Sequence, residues 1–424
     1  SGGEAEDHSA AMIGSITLTS VTRSLAEGET IRLSDYSLRS GAKRRYFANT
    51  LGGLGQYYIG VLRELRILDG DATHGIRYTR QLGQVIAEKM DAGVDRALFF
   101  KVVDADSVTA AELDQLHSFC PCHLTTQPAE QKILCELFFA RGEFENPEAL
   151  PRRRSLQLIL NLSAALDQEN LECTEERFRV CCYTGSLPGG HSWQVPGTLK
   201  NNRTRWATYA RNELLSVAVQ GLFFALLDSY DASHLRFDWS AEIVDWFLGL
   251  PEASDAIAQF GRQDRFGELV ARSESWLPPL AHLTEPLHEV QLTEEIVRLS
   301  RSAKTVENRQ AIITAALQTL IALAARGGKG PNQYADLIFE PDYFQYYPIN
   351  LKSFANYTSD RWASLTIPEL LRWALLNWGL EMHLRVALRK LRGQSQSTFR
   401  IRPSDRGMEV VEVPPVVHTR PRFL

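Results

Sequence analysis

Lys43-Arg44-Arg45-Tyr46-Phe47, then Gly52-Gly53-Leu54-Gly55, then Gln56 to Leu68, is the stretch on which the fold reading turns. The first five residues open a short amphipathic run, and the glycines break it. The second run places Tyr58, Val61, Leu62, Leu65 and Leu68 at spacings of three and four, as one helical face requires. Asp69-Gly70-Asp71 is a turn signal and Ile76-Arg77-Tyr78-Thr79 a short strand. A further helix, Leu82 to Met90, starts behind Thr79, a good N-cap residue. Helix, glycine turn, helix, hairpin and helix is the order of a winged helix-turn-helix. In such modules the second helix is offered to a nucleic-acid groove or to a partner protein.

Bulk properties set the frame around this stretch. A chain of 424 residues accommodates two or three domains with sizeable cores, and 44% apolar with 23% charged residues excludes wholesale disorder. The longest apolar run, Leu214 to Leu227, has 14 residues and contains Gln220, too short to span a bilayer, so no membrane partner is expected. No basic start leads into an apolar segment and a cleavage site, so nothing points to secretion. The chain opens Ser1-Gly2-Gly3 without an initiating methionine, which reads as an expression scar or an internal cut. Six cysteines make no disulfide framework, and a reducing cytoplasm is the expected compartment.

Charge is unevenly spread. Residues 39–90 carry nine Lys/Arg against four acids, and residues 383–424 nine against three. Residues 1–38 are net −4, which leaves −12 for residues 91–382. Two basic blocks flank an acidic body. They read as solvated faces, as one polyanion-binding surface, or as docking sites for a protein.

Beyond residue 90 the pattern is helical. Asp106-Ser107 precedes an expected helix from Val108 to Phe119, Pro121 breaks it, and Pro128 opens Ala129 to Arg141. Glu143 to Arg154, with two prolines and three consecutive arginines, reads as a loop and a domain boundary. A helix with Leu156, Ile159, Leu160 and Leu162 follows. Thr204 to Tyr230 has apolar residues on too many sides for one face, so it should be buried centrally. Further helices are expected at 240–249, 254–272, 292–325 (broken near Lys304) and 366–392. Ser397 to Arg402 and Glu409 to Val413 form the expected C-terminal hairpin, turning at Ser404 to Gly407. The resulting fold class is mainly α: an N-terminal winged helix-turn-helix-like module, a large helical domain and a short C-terminal β-hairpin. The expected divisions are 1–38 (lead-in), 39–145 (the module with a helical extension), 146–392 (helical body) and 393–424 (basic hairpin and tail).

Chemistry-bearing motifs are weak. His117, Cys120, Cys122 and His123 crowd into seven residues, but zinc sites pair such a cluster with a second one far along the chain. A structural turn is expected, and no metal. Cys135, in the apolar run Ile133 to Phe139, reads as a buried thiol, and Cys181-Cys182 as structural. Gly185 to Trp193 holds Ser186, His191 and Ser192 in a loop without the strand-to-helix frame of a nucleophile elbow. Gly327-Gly328-Lys329-Gly330 lacks phosphate-loop spacing and reads as helix termination. Phe339 to Tyr347 reads as aromatic packing over a loop, and Trp362, Trp373 and Trp378 as core. No catalytic residues and no cofactor are expected. For phosphate contact the candidates are Lys43, Arg44, Arg45, Arg63, Arg66, Arg77 and Arg80 at one end. At the other end they are Arg385, Arg389 and Arg392, one helical stripe continuing into Arg400 and Arg402.

Three segments carry a resemblance: Arg45-Tyr46-Phe47 with Gly55-Gln56-Tyr57-Tyr58 and Leu62-Arg63-Glu64-Leu65; Phe119-Cys120-Pro121-Cys122; and His383 to Leu391 with Thr398-Phe399-Arg400. Together they resemble uncharacterised, mostly helical proteins of bacterial antiphage defence islands. The resemblance implies a non-catalytic accessory subunit acting with a helicase or nuclease, binding DNA or a DNA-bound partner. The alternative is a pure protein–protein scaffold in which the helix-turn-helix is structural.

Overall fold

The computed structural model describes residues 20–26, 28–36, 51–70, 74–145, 149–280, 288–327, 349–394, 398–415 and 417, without the side chains of 56, 121–123, 143, 274 and 392–394. The described residues are mainly helical, with three two-stranded antiparallel sheets. The chain divides into two compact units, Ser1–Leu156 and Gln157–Leu424.

In the first unit a π-helical turn, Leu54–Tyr58, runs into helix α1, Ile59–Glu64. Arg66 then takes a left-handed conformation (φ 58°) and ends the helix. Strands β2 (Leu68–Asp69) and β3 (Arg77–Tyr78) pair as a short hairpin, and α2 (Gly83–Asp91) follows. Glycine at 83 is a steric necessity, because a Cβ there would lie 2.0 Å from the Ile67 carbonyl oxygen. The core here gathers Ile86, Ile133, Leu137 and Phe144 over Leu65, Ile67, Leu82 and Met90, and it joins α2 to α5, Pro128–Phe139. Helix, hairpin and helix thus occur in the order expected from residues 56 to 90; Lys43 to Phe47 lie outside the described residues.

A second small core contains Ile31, Val102 and Val108. It packs α3 (Arg96–Asp104) beside strands β1 (Thr30–Arg32) and β4 (Ser107–Thr109), which pair with Ile31 opposite Val108. The helix expected over 108–119 therefore begins later. The Thr109 side chain accepts from the Glu112 N–H while Glu112 reaches back to the Thr109 N–H, so α4 is Ala110–Gln115. Val108, β-branched and apolar, joins the sheet instead.

Helix α6, Leu150–Gln168, runs through the Arg152–Arg154 triplet that the sequence placed in a loop. Pro151 sits in the first turn, where its missing N–H costs nothing, and arginine is a good helix former. Its buried face is Leu158, Leu162 and Leu166, whereas Ile159 and Leu160 are exposed. These leucines pack with Cys181 and Cys182 of α7 (Glu175–Thr184) and with Trp193.

Helix α8, Lys200–Ser233, is the axis of the second unit, with 22 of its 34 residues buried. Its most apolar window meets the length and composition of a membrane span, yet 83% of that window is buried in the protein. Around it pack α9 (Ser240–Leu248), α10 (Pro251–Phe260), α11 (Phe266–Arg272), α12 (Glu289–Ser300) and α13 (Val306–Arg326). The run expected at 254–272 breaks at Gly261 (φ 83°), and the break near Lys304 falls between α12 and α13. A Cβ on Gly221 would sit 2.8 Å from Ile296, so that glycine lets α12 close onto α8. Then come α14 (Leu351–Ser359), α15 (Ile367–Trp373), a π-helical stretch (Ala374–Glu381) and α16 (Met382–Gln394). Trp362 is fully buried among Phe266, Phe354, Tyr357, Trp373 and Trp378, the aromatic core expected of the tryptophans. Strands β5 (Ile401–Ser404) and β6 (Gly407–Val410) form the C-terminal hairpin, with Ile401 and Met408 in the same core.

Candidate functional site

Among the described residues, each candidate phosphate contact is either engaged within the protein or left open to solvent, and the structure sorts them. Arg63, in the last turn of α1, donates to the Gly70 carbonyl across the β2–β3 hairpin. Arg77 pairs with Asp69 at 3.6 Å. The Arg66 carbonyl accepts from the Thr79 hydroxyl, and the Arg66 and Arg80 side chains are exposed. In the first unit, Arg63 thus ties the helix to the hairpin, and Arg77 pairs across the hairpin itself. Lys43, Arg44 and Arg45 lie outside the described residues.

In the C-terminal hairpin Arg402 pairs with Glu409 at 2.8 Å, its directly opposite residue, and Arg400 pairs with Glu412. Their charge is largely spent locally. On α16 the situation differs. Arg385, Arg389 and Lys390 are exposed, and none makes an ion pair among the described residues. Leu388, between Arg385 and Arg389, and Leu391, just after Lys390, are exposed as well. The Arg392 side chain lies outside the described residues.

The hairpin is locked to this helix from beneath. The Arg400 N–H donates to His383 Nε2 at 2.8 Å, which requires an unprotonated nitrogen. Burial, with Arg400 and Lys390 nearby, pushes the His383 pKa down to about 4. The Tyr230 hydroxyl donates to the Met408 carbonyl at 2.8 Å, and the Met408 N–H donates to the Phe237 carbonyl at 2.7 Å. The cationic face of α16 therefore rests on a rigid base.

Other sequence candidates resolve as structure. Cys135 is exposed, contrary to the buried thiol expected, because α5 buries Ile133 and Leu137 and position 135 points elsewhere on the turn. Cys181 and Cys182 are fully buried, and burial pushes the Cys181 thiol up to about 12 and raises that of Cys182 as well. No group of three metal-ligating side chains gathers among the described residues, and those of Cys122 and His123 lie outside them. In the Gly185–Trp193 loop the Leu187 N–H donates to the His191 carbonyl, and the Trp193 indole N–H donates to Asn161 at 3.0 Å, anchoring the loop in the core. Gly327 caps α13, while residues 328–348, with the Phe339 to Tyr347 stretch, lie outside the description.

Sequence reading missed two features. Buried ion pairs pin the second unit: Arg309 bridges Asp228 and Glu252, and Arg326 binds Glu289, which also accepts from Tyr183. In the first unit Phe99, Phe100, Val103 and Phe119 are all exposed, with Phe99 stacked on Phe119 at 5.2 Å. No protein family, curated protein or solved structure matches the chain.

Proposed function

We propose that this protein binds nucleic acid through its phosphate backbone, as a non-catalytic accessory subunit acting beside a helicase or nuclease of a bacterial defence complex. The observation that carries the reading is the α16 face, where Arg385, Arg389 and Lys390 stand exposed with no carboxylate partner among the described residues. A solvated cation without an internal partner keeps its full charge for phosphate, and each phosphate contact releases a counterion. In the first unit, α1, the β2–β3 hairpin and α2 are read as a winged helix-turn-helix-like arrangement with the hairpin as wing, and Arg80 as a further phosphate contact. The defence context rests on the resemblance of the segments around residues 45–65, 119–122 and 383–400.

The test is fluorescence anisotropy of duplex and single-stranded DNA across a salt series. Three phosphate contacts on α16 give a log–log slope of about −3, and Arg385→Ala/Arg389→Ala/Lys390→Ala should remove most of it for every sequence tried. Wild type without salt-sensitive binding, or a triple variant that binds like wild type, refutes the reading.

The scaffold reading draws on a different observation, the exposed Phe99–Phe100–Val103–Phe119 surface, whose apolar area suits a protein partner. Phe100→Asp should then break partner binding and leave DNA binding unchanged.

A further inference from the structure

A cleft of about 410 Å³ opens in the second unit where the end of α10 meets α11 and α13. Its volume falls within the usual range for small-molecule sites. Phe260 and Trp276 supply aromatic lining and Ile321 an aliphatic one. Gln259 and Gln318 bring two primary amides to the same space, and neither amide makes a hydrogen bond within the protein among the described residues, nor does the Trp276 indole N–H. The charged groups are already satisfied: Asp264 pairs with Arg272, and Gly261 makes room for that carboxylate, since a Cβ there would lie 2.7 Å from Asp264 Oδ2.

Aromatic lining, uncommitted amides and an internally neutralised ion pair select a flat, uncharged, hydrogen-bonding ligand. We propose that this cleft binds a purine base, adenine above the others. A glutamine amide offers a donor and an acceptor side by side, matching the N6 donor and N7 acceptor of adenine. The aromatic side chains offer faces for the ring. Gln318, half-buried on the rigid α13, supplies the pairing edge, and Trp276 the stacking face. The adenine comes either as a free nucleoside or as an unpaired base of a bound strand.

The experiment titrates the full chain with adenosine, with a short oligo-dA and with oligo-dT, following tryptophan fluorescence and calorimetric heat. Saturable quenching by adenosine identifies a free-nucleoside site; saturation by oligo-dA alone, with oligo-dT inert, identifies a strand-borne adenine. In either case Trp276→Phe should abolish the quenching. Gln318→Leu should weaken binding roughly ten- to a hundredfold while the denaturation midpoint stays that of wild type. The α16 triple-alanine variant should keep the adenosine binding of wild type or, where only the strand-borne base binds, its preference for oligo-dA over oligo-dT, so failure of the polyanion reading leaves this one standing. Absence of binding by both adenine ligands at millimolar concentration, equal binding of oligo-dT, or a Gln318→Leu variant that binds like wild type overturns the proposal.

Discussion

Replacing Arg309 with methionine should be among the costliest single changes in the second unit, and the structure says why. The guanidinium is buried; its Nε lies 2.9 Å from Glu252 and its Nη1 3.1 Å from Asp228, so one side chain ties α13 to α10 and α8. Both carboxylates are almost fully buried. Among the described residues, Glu252 keeps only the Ser229 hydroxyl, at 2.8 Å, when Arg309 is gone. Stranding a buried charge costs about 3–5 kcal/mol. Asp228 has a second cation, Lys304 at 3.0 Å, but that side chain is 51% exposed and its pair is worth under about 1 kcal/mol. At about 2–4 °C per kcal/mol, Arg309→Met should lower the melting temperature by roughly 6–20 °C and Lys304→Met by no more than about 4 °C. All eight tryptophans lie in residues 157–424, so tryptophan fluorescence reports this unit alone. Adding Glu252→Gln to Arg309→Met should recover part of the loss, because the amide still accepts from Ser229 and carries no charge. Equal costs for the arginine and lysine variants, or a double variant no better than the single one, would refute the charge argument.

Folding depresses the His383 pKa from its ordinary 6.5 to about 4, so the unfolded chain takes up the proton first. The contribution of the neutral ring is complete above pH 6.5 and is lost progressively toward pH 4, about 3 kcal/mol in all; urea midpoints of wild type and His383→Gln should converge across that window, and parallel curves would contradict it. Gly83→Ala drives a methyl into the Ile67 carbonyl and should cost the first unit at least about 2 kcal/mol, seen as faster proteolysis within residues 1–156 while the tryptophan transition of the second unit stays in place. Under native conditions a thiol reagent should modify Cys135 and spare Cys181 and Cys182 until denaturant is added, read by peptide mass; early labelling of Cys181 would contradict its burial.

Helix positions were readable from the sequence where apolar residues recur locally. The Thr204 to Tyr230 pattern, apolar on all sides, led directly to a central buried helix. The break near 304 was expected, whereas the one at 261 was not, because a single glycine punctuates a helix without stating whether the chain turns there. Val108 misled, since a three-residue strand is decided by a partner 77 residues away at Ile31 and not by its own neighbours. The Arg309 and Arg326 ion pairs were invisible for the same reason, with partners 37 to 81 positions away along the chain.

The basic blocks teach the sharper lesson about the candidate site. Counting charge along residues 383–424 treats every arginine alike, yet the strand register sets Arg402 opposite Glu409. A hairpin puts residues of opposite sign side by side when their positions sum correctly about the turn, so its net charge overstates what it can offer a polyanion. On α16 the spacing works the other way. Arg385 and Arg389 are one helical turn apart, with Lys390 next to the second and no acid between Met382 and Gln394, so cations accumulate along one side without an intrahelical partner. Affinity for phosphate should therefore follow α16 and be nearly indifferent to Arg400 and Arg402, although the sequence put all of them on one continuous stripe.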